Sequence, residues 1–361
     1  MVEWKKLGEV CTDVIVPMRD RPKIFNGSIP WCRIEDIEGM YFNKSLSGLM
    51  VSDDIIKKMN LKVFPTGTVI CSCSATLGVC AINTQPLITN QTFIGLVCSQ
   101  KVSNRYIFYY MSTRKKELLS LSTTGTIPYV SREKFENMQI PIPSLSEQTR
   151  IVGILDTFTS AIDNLKEQIA QRRKQYEYYR DLLLDLEGKP GVEMKTLGEV
   201  CKLERGVRVV KKDLQEQGAI PVFQNSLTPL GFYEKSNYPE HTTFVICAGA
   251  AGEVGYSEIA FWAADDCTCI ICPSSICSKY VYNYLMVKQH LLKAQVRKAS
   301  VPRLSKDVIG KLQLPIPSLH EQQRIVSILD TFEASIQNLE EQLKLREKQY
   351  EYYRNKLLTF E

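Results

Sequence analysis

The chain has 361 residues, 44% of them hydrophobic and 24% charged, with a formal net charge of +5. That length exceeds what one hydrophobic core usually serves, so two or more domains are expected, and the mild basicity permits an acidic partner such as nucleic acid without demanding one. No window approaches the roughly 20 apolar residues of a membrane span, and the opening MVEWKKLGEVC lacks the apolar run of a signal peptide, so the expectation is no membrane association and a cytoplasmic location.

In chain order, Arg19, Arg21 and Lys23 form a first basic cluster ahead of Pro30-Trp31. Residues 63–75, VFPTGTVICSCSA, are a β-rich run broken by Gly and Pro. Residues 106–119 follow a 3.6-residue period and predict a helix. Around its end lie Arg114, Lys115, Lys116 and Arg132, with Thr124 and Thr126 among them. A long helix is predicted after Pro143, where Ser144 or Ser146 can cap and Glu147 places an acid in the first turn. Apolar residues then recur at alternating spacings of four and three, at Ile151, Leu155, Phe158, Ile162, Leu165, Ile169, Tyr176, Tyr179 and Leu183, until Gly188-Lys-Pro-Gly191 stops the helix.

The second half restarts with LGEVC, seen at Leu7 and again at Leu197, followed by Arg205, Arg208, Lys211 and Lys212. Residues 242–248 read as a strand and residues 280–293 as a helix. A fourth basic stretch holds Arg297, Lys298, Ser300, Arg303 and Lys306 with Lys293 before it, and no acid stands between Lys293 and Lys306. A second long helix follows Pro317, with Ser318 and Glu321 at its start and the seam Ile325, Leu329, Phe332, Ile336, Leu339, Leu343, Tyr350, Tyr353 and Leu357.

The halves are a repeat. IPIPSLSEQTRIVGILDTF begins at Ile140 and LPIPSLHEQQRIVSILDTF at Leu314, 174 positions on, and KQYEYYR recurs at Lys174 and Lys348. At the same offset Gly125-Thr126-Ile127-Pro128 aligns with Ala299-Ser300-Val301-Pro302. The repeated segment reads as the hinge and cap from which each long helix starts. A 3.5-residue period held this long signals a coiled coil of two helices of about 40 residues, roughly 60 Å each.

Antiparallel pairing within the molecule is the simplest way to satisfy both seams. It relates the halves by a pseudo-twofold axis and puts one domain near each end; pairing between molecules is the alternative. Arg172 and Arg346 share one seam position, either as packed stems with solvated heads or as register-setting residues, and full overlap places Arg172 near Leu339 and Arg346 near Leu165. The surplus apolar residues Val152, Ile154, Tyr178 and Leu182 need covering, by the chain's own domains or by a second protein.

Chemistry-bearing motifs are scarce. There is no phosphate loop and no HExxH, and AGAAGEVG at residues 248–255 leads from strand to strand rather than to a helix, as phosphate cradling requires. His241, His290 and His320 are the imidazoles, no Ser or Cys has a nucleophile's setting, and no catalytic residue is assigned. The 12 cysteines are expected to be reduced. Within DDCTCIIC, strand geometry puts Cys267 and Cys269 on one face and Cys272 on the other, which argues for burial rather than a shared metal ion, so no metal site is assigned. Matched basic patches on two domains suit one duplex touched twice, with phosphates met by Lys and Arg and base edges by Arg, Asn, Gln, Ser or Thr.

The motif IPxPSLxEQxRIVxILD, the heptad helix after it and the internal repetition resemble the specificity subunit of type I restriction-modification systems across essentially the whole chain. NGSIPWCRIEDI from Asn26 is similar to the family's opening of a recognition domain, and residues 218–266 to another version of it. The resemblance implies α/β (α+β) target recognition domains at 1–143 and 188–317, and conserved coiled-coil helices at 144–187 and 318–361. It implies a non-catalytic chain in which each domain reads one half of a bipartite double-stranded DNA target, while the coiled coil sets the spacer and docks two methyltransferase subunits. Two restriction subunits complete the expected assembly, with S-adenosylmethionine, ATP and Mg on the partners and no cofactor in this chain. The competing reading is a stand-alone DNA-binding or scaffolding protein. A fused methyltransferase would need a [DNS]PP[FYW] motif, which is absent.

Overall fold

The computed structural model describes residues 2–123, 126–210, 212 and 214–360; two of the expected contact residues, Thr124 and Lys211, lie outside them. The chain divides into two units, Met1–Asn164 with Gln342–Glu361, and Leu165–Glu341. Each unit therefore holds a domain, the first part of the long helix that follows it and the last part of the other long helix.

Unit one begins with β1 (Glu3–Lys6), α1 (Leu7–Val10) and β2 (Cys11–Ile15). Then come β3 (Ile29–Cys32), β4 (Tyr41–Phe42), β5 (Met50–Val51), α2 (Asp53–Met59), β6 (Val69–Ser72), β7 (Cys80–Asn83), β8 (Ile88–Thr89) and β9 (Phe93–Cys98). The domain closes with α3 (Asn104–Ser112), α4 (Lys115–Leu121), α5 (Arg132–Glu136) and β10 (Gln139–Ile142), which leads into α6 (Leu145–Leu184).

A sheet of order β2-β9-β6-β7-β4 carries this domain, flanked by a three-stranded sheet β5-β3-β8 and the pair β1-β10. Its central strands are buried on both faces. Val69, Cys71, Ile94 and Leu96 join Tyr106, Ile107 and Tyr110 of α3 in one cluster, whereas the alternate residues Ile70 and Phe93 join Phe42 and Phe64 in another. The β-rich run 63–75 yields only β6, because Gly67 turns the chain at φ 84°. The helix expected over 106–119 is broken at Thr113–Arg114, where the Thr113 hydroxyl donates to the Tyr110 carbonyl at 2.7 Å and competes with the backbone ladder.

Unit two repeats the plan with β11 (Glu193–Thr196), α7 (Leu197–Val200), β12 (Lys202–Arg205), β13 (Ile220–Phe223), β14 (Gly231–Tyr233) and β15 (Thr242–Ile246). It continues through β16 (Val254–Ser257), β17 (Trp262–Ala263), β18 (Cys267–Ile271), α8 (Ser278–Ala294), α9 (Lys306–Gly310), β19 (Gln313–Ile316) and α10 (Leu319–Leu358). Its sheets run β12-β18-β15-β16, β14-β13-β17 and β11-β19. Here α8 is one unbroken helix.

The cysteines follow strand geometry, with one correction. Cys267 and Cys269 are buried with Phe244 and Phe261 on one face of the sheet, and Cys272 packs against the cluster on the other. The thiols of Cys201 and Cys272 lie 3.5 Å apart, and the corresponding Cys11 and Cys98 are cross-strand partners whose pKa values are pushed up to about 12, chiefly by burial. Cys71 and Cys80, directly opposed on β6 and β7, are joined as a disulfide, contrary to the expectation of reduced thiols throughout. Strand register holds the two side chains together; the corresponding pair in unit two is Val245 and Val254.

Both long helices have 40 residues. In unit one the start of α6 and the end of α10 run antiparallel, with Phe158 stacked on Tyr353 at 5.3 Å and Ile151, Leu155 and Leu358 buried in the domain core. In unit two Tyr179 stacks on Phe332 at 5.4 Å, Tyr176 donates to Glu333 at 2.8 Å, and Arg173 pairs with Glu340. Both aromatic pairs are those that full antiparallel overlap requires. The Arg172 guanidinium lies over Phe332 at 5.8 Å and that of Arg346 over Phe158 at 5.9 Å, since ring faces attract cations. Val152, Leu184 and Leu186 are covered by the domain cores, whereas Tyr178 and Leu182 stay exposed.

The joint between domain and helix repeats in every part. Gln148 and Gln322 are fully buried. The Gln148 side-chain carbonyl accepts from the Ser103 N–H, and its amide donates to the Pro143 carbonyl at 2.9 Å; Gln322 accepts from the Cys277 N–H and donates to the Pro317 carbonyl at 3.0 Å. Tyr106 and Tyr280 donate to the carbonyls of Pro141 and Pro315. Arg105 pairs with Asp156 at 2.7 Å, and Lys279 with Asp330 at 2.8 Å. A hinge, as the sequence suggested, would leave these buried groups without partners.

Candidate nucleic-acid interface

In unit two the fold merges basic residues that are separate in the chain. Arg205, at the end of β12, donates through Nε to the Asp265 carbonyl at 2.6 Å. Arg303 exchanges backbone hydrogen bonds with Arg297 at 2.9 and 3.2 Å, closing the loop 297–303, and bridges to Ala248. Arg205, Arg303 and Lys306 consequently line one recess with Asp265, Asp266 and Thr268. The stretch that carries no acid in sequence therefore gains two carboxylates from the β17–β18 turn, and Lys293 gains Glu253 at 3.9 Å. Three cations against two carboxylates leave the recess suited to an anion bound beside hydrogen-bond acceptors, as at a phosphate next to a base edge.

Lys298 lines a neighbouring recess with Gly249, Ala250 and Pro302. The segment before Arg208 and Lys212 is stitched down, since Val207 N–H donates to the Ala263 carbonyl and Trp262 Nε1 donates to the Val207 carbonyl at 2.8 Å. A Cβ on Gly206 would fall 2.2 Å from the Ala264 carbonyl oxygen, so only glycine fits there. Arg208, Lys212, Arg297, Lys298 and Ser300 are all exposed.

In unit one Arg19, Arg21 and Lys23 are exposed on the loop ahead of β3. Arg21 is the oriented member, lying over Trp31 at 5.1 Å and Phe25 at 5.6 Å. Lys115, Lys116 and Thr126 face solvent, and Arg132 is tied to Glu136 at 2.7 Å on its own helix. Arg114 is different. Its guanidinium lies over Tyr110 at 4.2 Å and donates to the Leu358 carbonyl at 3.3 Å, so it clamps the C-terminal end of α10, where a cation also suits the helix dipole. These contacts within the fold set it apart from the solvent-facing Lys115 and Lys116.

Sequence reasoning missed Asp265 and Asp266 as members of the basic recess, and it missed Gln148 and Gln322 as braces. No local pattern marks the aspartates, which arrive from another element. The glutamines stand in the repeated SLxEQ, and their repetition was the available signal.

Two α+β domains, each followed by a 40-residue helix and each with cations on solvent-facing loops, define a two-domain protein with an internal repeat. The type I restriction modification DNA specificity domain matches residues 1–172 and 190–346, and the chain belongs to that family. It is 27% identical over 369 residues to the type I restriction enzyme EcoprrI specificity subunit of Escherichia coli, covering 94% of this chain and 90% of that one. It is 30% identical over 289 residues to the EcoR124I/EcoR124II specificity subunit of Escherichia coli, covering 71% and 70%. Among solved structures, the type I restriction-modification S subunit from M. genitalium superposes with a TM-score of 0.67 at 17% identity, over 100% of this chain and 97% of that chain. A chain from a structural study of complex assembly in the type I R-M system gives 0.64 at 19% identity, over 99% and 97%. Among the described residues no helix is long and apolar enough to cross a membrane.

Proposed function

We propose that this specificity subunit is the non-catalytic DNA reader of a type I restriction-modification complex, with each domain contacting one half of a bipartite duplex target. The observation that carries this reading is the doubled joint. Two domains of one plan but unlike surface loops are fastened by the same buried glutamine to two near-identical helices. Identical fastening suits a common frame, and unlike loops suit two different DNA words. Arg205, Arg303, Lys306, Lys298, Arg208 and Lys212 would meet one half-site, and Arg19, Arg21, Lys23, Lys115, Lys116 and Arg132 the other, with Thr126 and Ser300 beside them. The paired helices would set the spacer between the halves.

Tyr178 and Tyr352, equivalent in the two KQYEYYR segments and 64% and 60% exposed, are apolar positions left for two methyltransferase subunits. S-adenosylmethionine would be held by those subunits, and ATP and Mg by two restriction subunits.

The test is to express the chain with a methyltransferase subunit and map methylated adenines. A bipartite motif with a fixed spacer is expected, and failure to direct methylation while duplex is still bound would favour the stand-alone reading. Inserting one heptad at paired positions of α6 and α10 adds about 10 Å and should move the preferred spacer by a few base pairs. An unchanged spacer would refute the ruler role alone.

A further inference from the structure

Each unit presents an exposed β-branched residue immediately before a proline. Ile127, before Pro128, is 62% exposed, and Val301, before Pro302, is 46% exposed. A lone exposed aliphatic residue is ordinary. These two occupy equivalent positions in domains whose other loops differ, and each is held in the same way.

In unit one, Thr123 N–H donates to the Tyr129 carbonyl at 3.0 Å, Ala75 N–H to the Pro128 carbonyl at 3.1 Å and Val130 N–H to the Cys73 carbonyl at 2.9 Å. In unit two the corresponding bonds run from Arg297 to Arg303 at 2.9 Å, Gly249 to Pro302 at 3.2 Å and Leu304 to Cys247 at 2.8 Å. Ala75 takes the left-handed conformation at φ 62°, where Gly249 has φ 80°. Left-handed backbone is strained for alanine, and it persists because the surrounding bonds over-determine it. The proline restricts the residue before it to extended backbone, and β-branching restricts χ1, so the two side chains are stiff as well as exposed.

Cations lie in the loop of Val301 and against the loops that brace both tips. Lys298 and Arg303 belong to the loop of Val301, and the left-handed loop braced against each tip abuts Lys115 at Gly78 and Lys293 at Gly252. A rigid apolar projection among cations is what inserts between base steps from a groove whose phosphates the cations hold; a mobile or polar tip would lose more on insertion than it gains.

We infer that Ile127 and Val301 are wedges, each partly unstacking one base step at or beside its half-site. This rests on the reading of the two domains as DNA readers. The test uses the chain with its methyltransferase partner to select a target from randomised duplexes, then scans thymine reactivity to permanganate through the selected duplex. Parent protein should make one step hyperreactive in each half. Val301→Ser should abolish it in one half only, Ile127→Ser in the other, and Val301→Ile should retain it, all with unchanged salt dependence of binding. A selected duplex with no hyperreactive step, or one whose hyperreactivity survives both serine variants, overturns the wedge alone. Selection of no sequence overturns the DNA-reading role and the wedge together.

Discussion

The side-chain carbonyl of Gln148 accepts a hydrogen bond from the Ser103 backbone N–H at 2.8 Å, where the loop before α3 meets the first turn of α6. Gln322 does the same for Cys277 at 2.9 Å. Each glutamine also donates to the proline carbonyl ahead of its helix, so one side chain fastens three segments and makes the joint a bracket.

Replacing Gln148 or Gln322 by leucine leaves a buried N–H and a buried carbonyl without partners, and each change should cost about 2–4 kcal/mol. Urea denaturation of the full chain measures it. A midpoint equal to the parent's would show that water or a neighbour replaces the bonds.

The ion pairs beside the joint make a pH prediction. Burial works against the charge of Lys279, but its hydrogen bond to Asp330 and the nearby Glu333 and Glu258 outweigh it and raise the pKa above the ordinary 10.5. A raised pKa in the folded state means that the stabilisation is complete below 10.5 and is lost as pH rises through the folded value. Lys279→Met should therefore be less stable than the parent at neutral pH, with the gap closing in strong alkali. A gap that widened there would refute the assignment.

The register of the helix pair rests on stacked rings. Double-mutant cycles on Phe158 with Tyr353, and on Tyr179 with Phe332, should each give a coupling of about 0.5–1.5 kcal/mol. Arg172→Leu with Arg346→Leu should cost about 0.5–1 kcal/mol each. Light scattering should find the oligomeric state unchanged, because the aromatic pairs hold the register without the arginines.

Arg114 and Arg303 should behave oppositely, although both are arginines of a basic stretch. Arg303→Ala should weaken duplex binding and lower the slope of log affinity against log salt by about 0.9. Arg114→Ala should leave that slope alone and destabilise the chain by about 1–2 kcal/mol, through loss of the Tyr110 and Leu358 contacts. A salt slope lowered equally by both would show that Arg114 meets phosphate as well.

Much of the architecture was legible in the residues. The heptad stripe from Ile151 to Leu183 and its copy from Ile325 to Leu357 located both long helices, and the stacked pairs Phe158–Tyr353 and Tyr179–Phe332 in the structure are consistent with the antiparallel pairing expected of them. The alternation in DDCTCIIC placed Cys267 and Cys269 opposite Cys272. The candidate interface was less legible. Arg114 looked like its neighbours Lys115 and Lys116, yet a helix break at Thr113 turns it onto Tyr110 and the end of α10.

The amino-acid order alone settled the repeat and the two long helices, because periodic burial and a repeated motif are local records that survive without coordinates. Only the folded chain decided which cations share a recess with which carboxylates, that Cys71 meets Cys80, and that SLxEQ fastens rather than flexes. Those outcomes depend on residues distant in sequence being brought together: Arg205 and Arg303 at one recess, Gln148 with Ser103, Arg114 with Leu358. Such contacts are set by sheet order and helix packing, which no stretch of a few residues encodes.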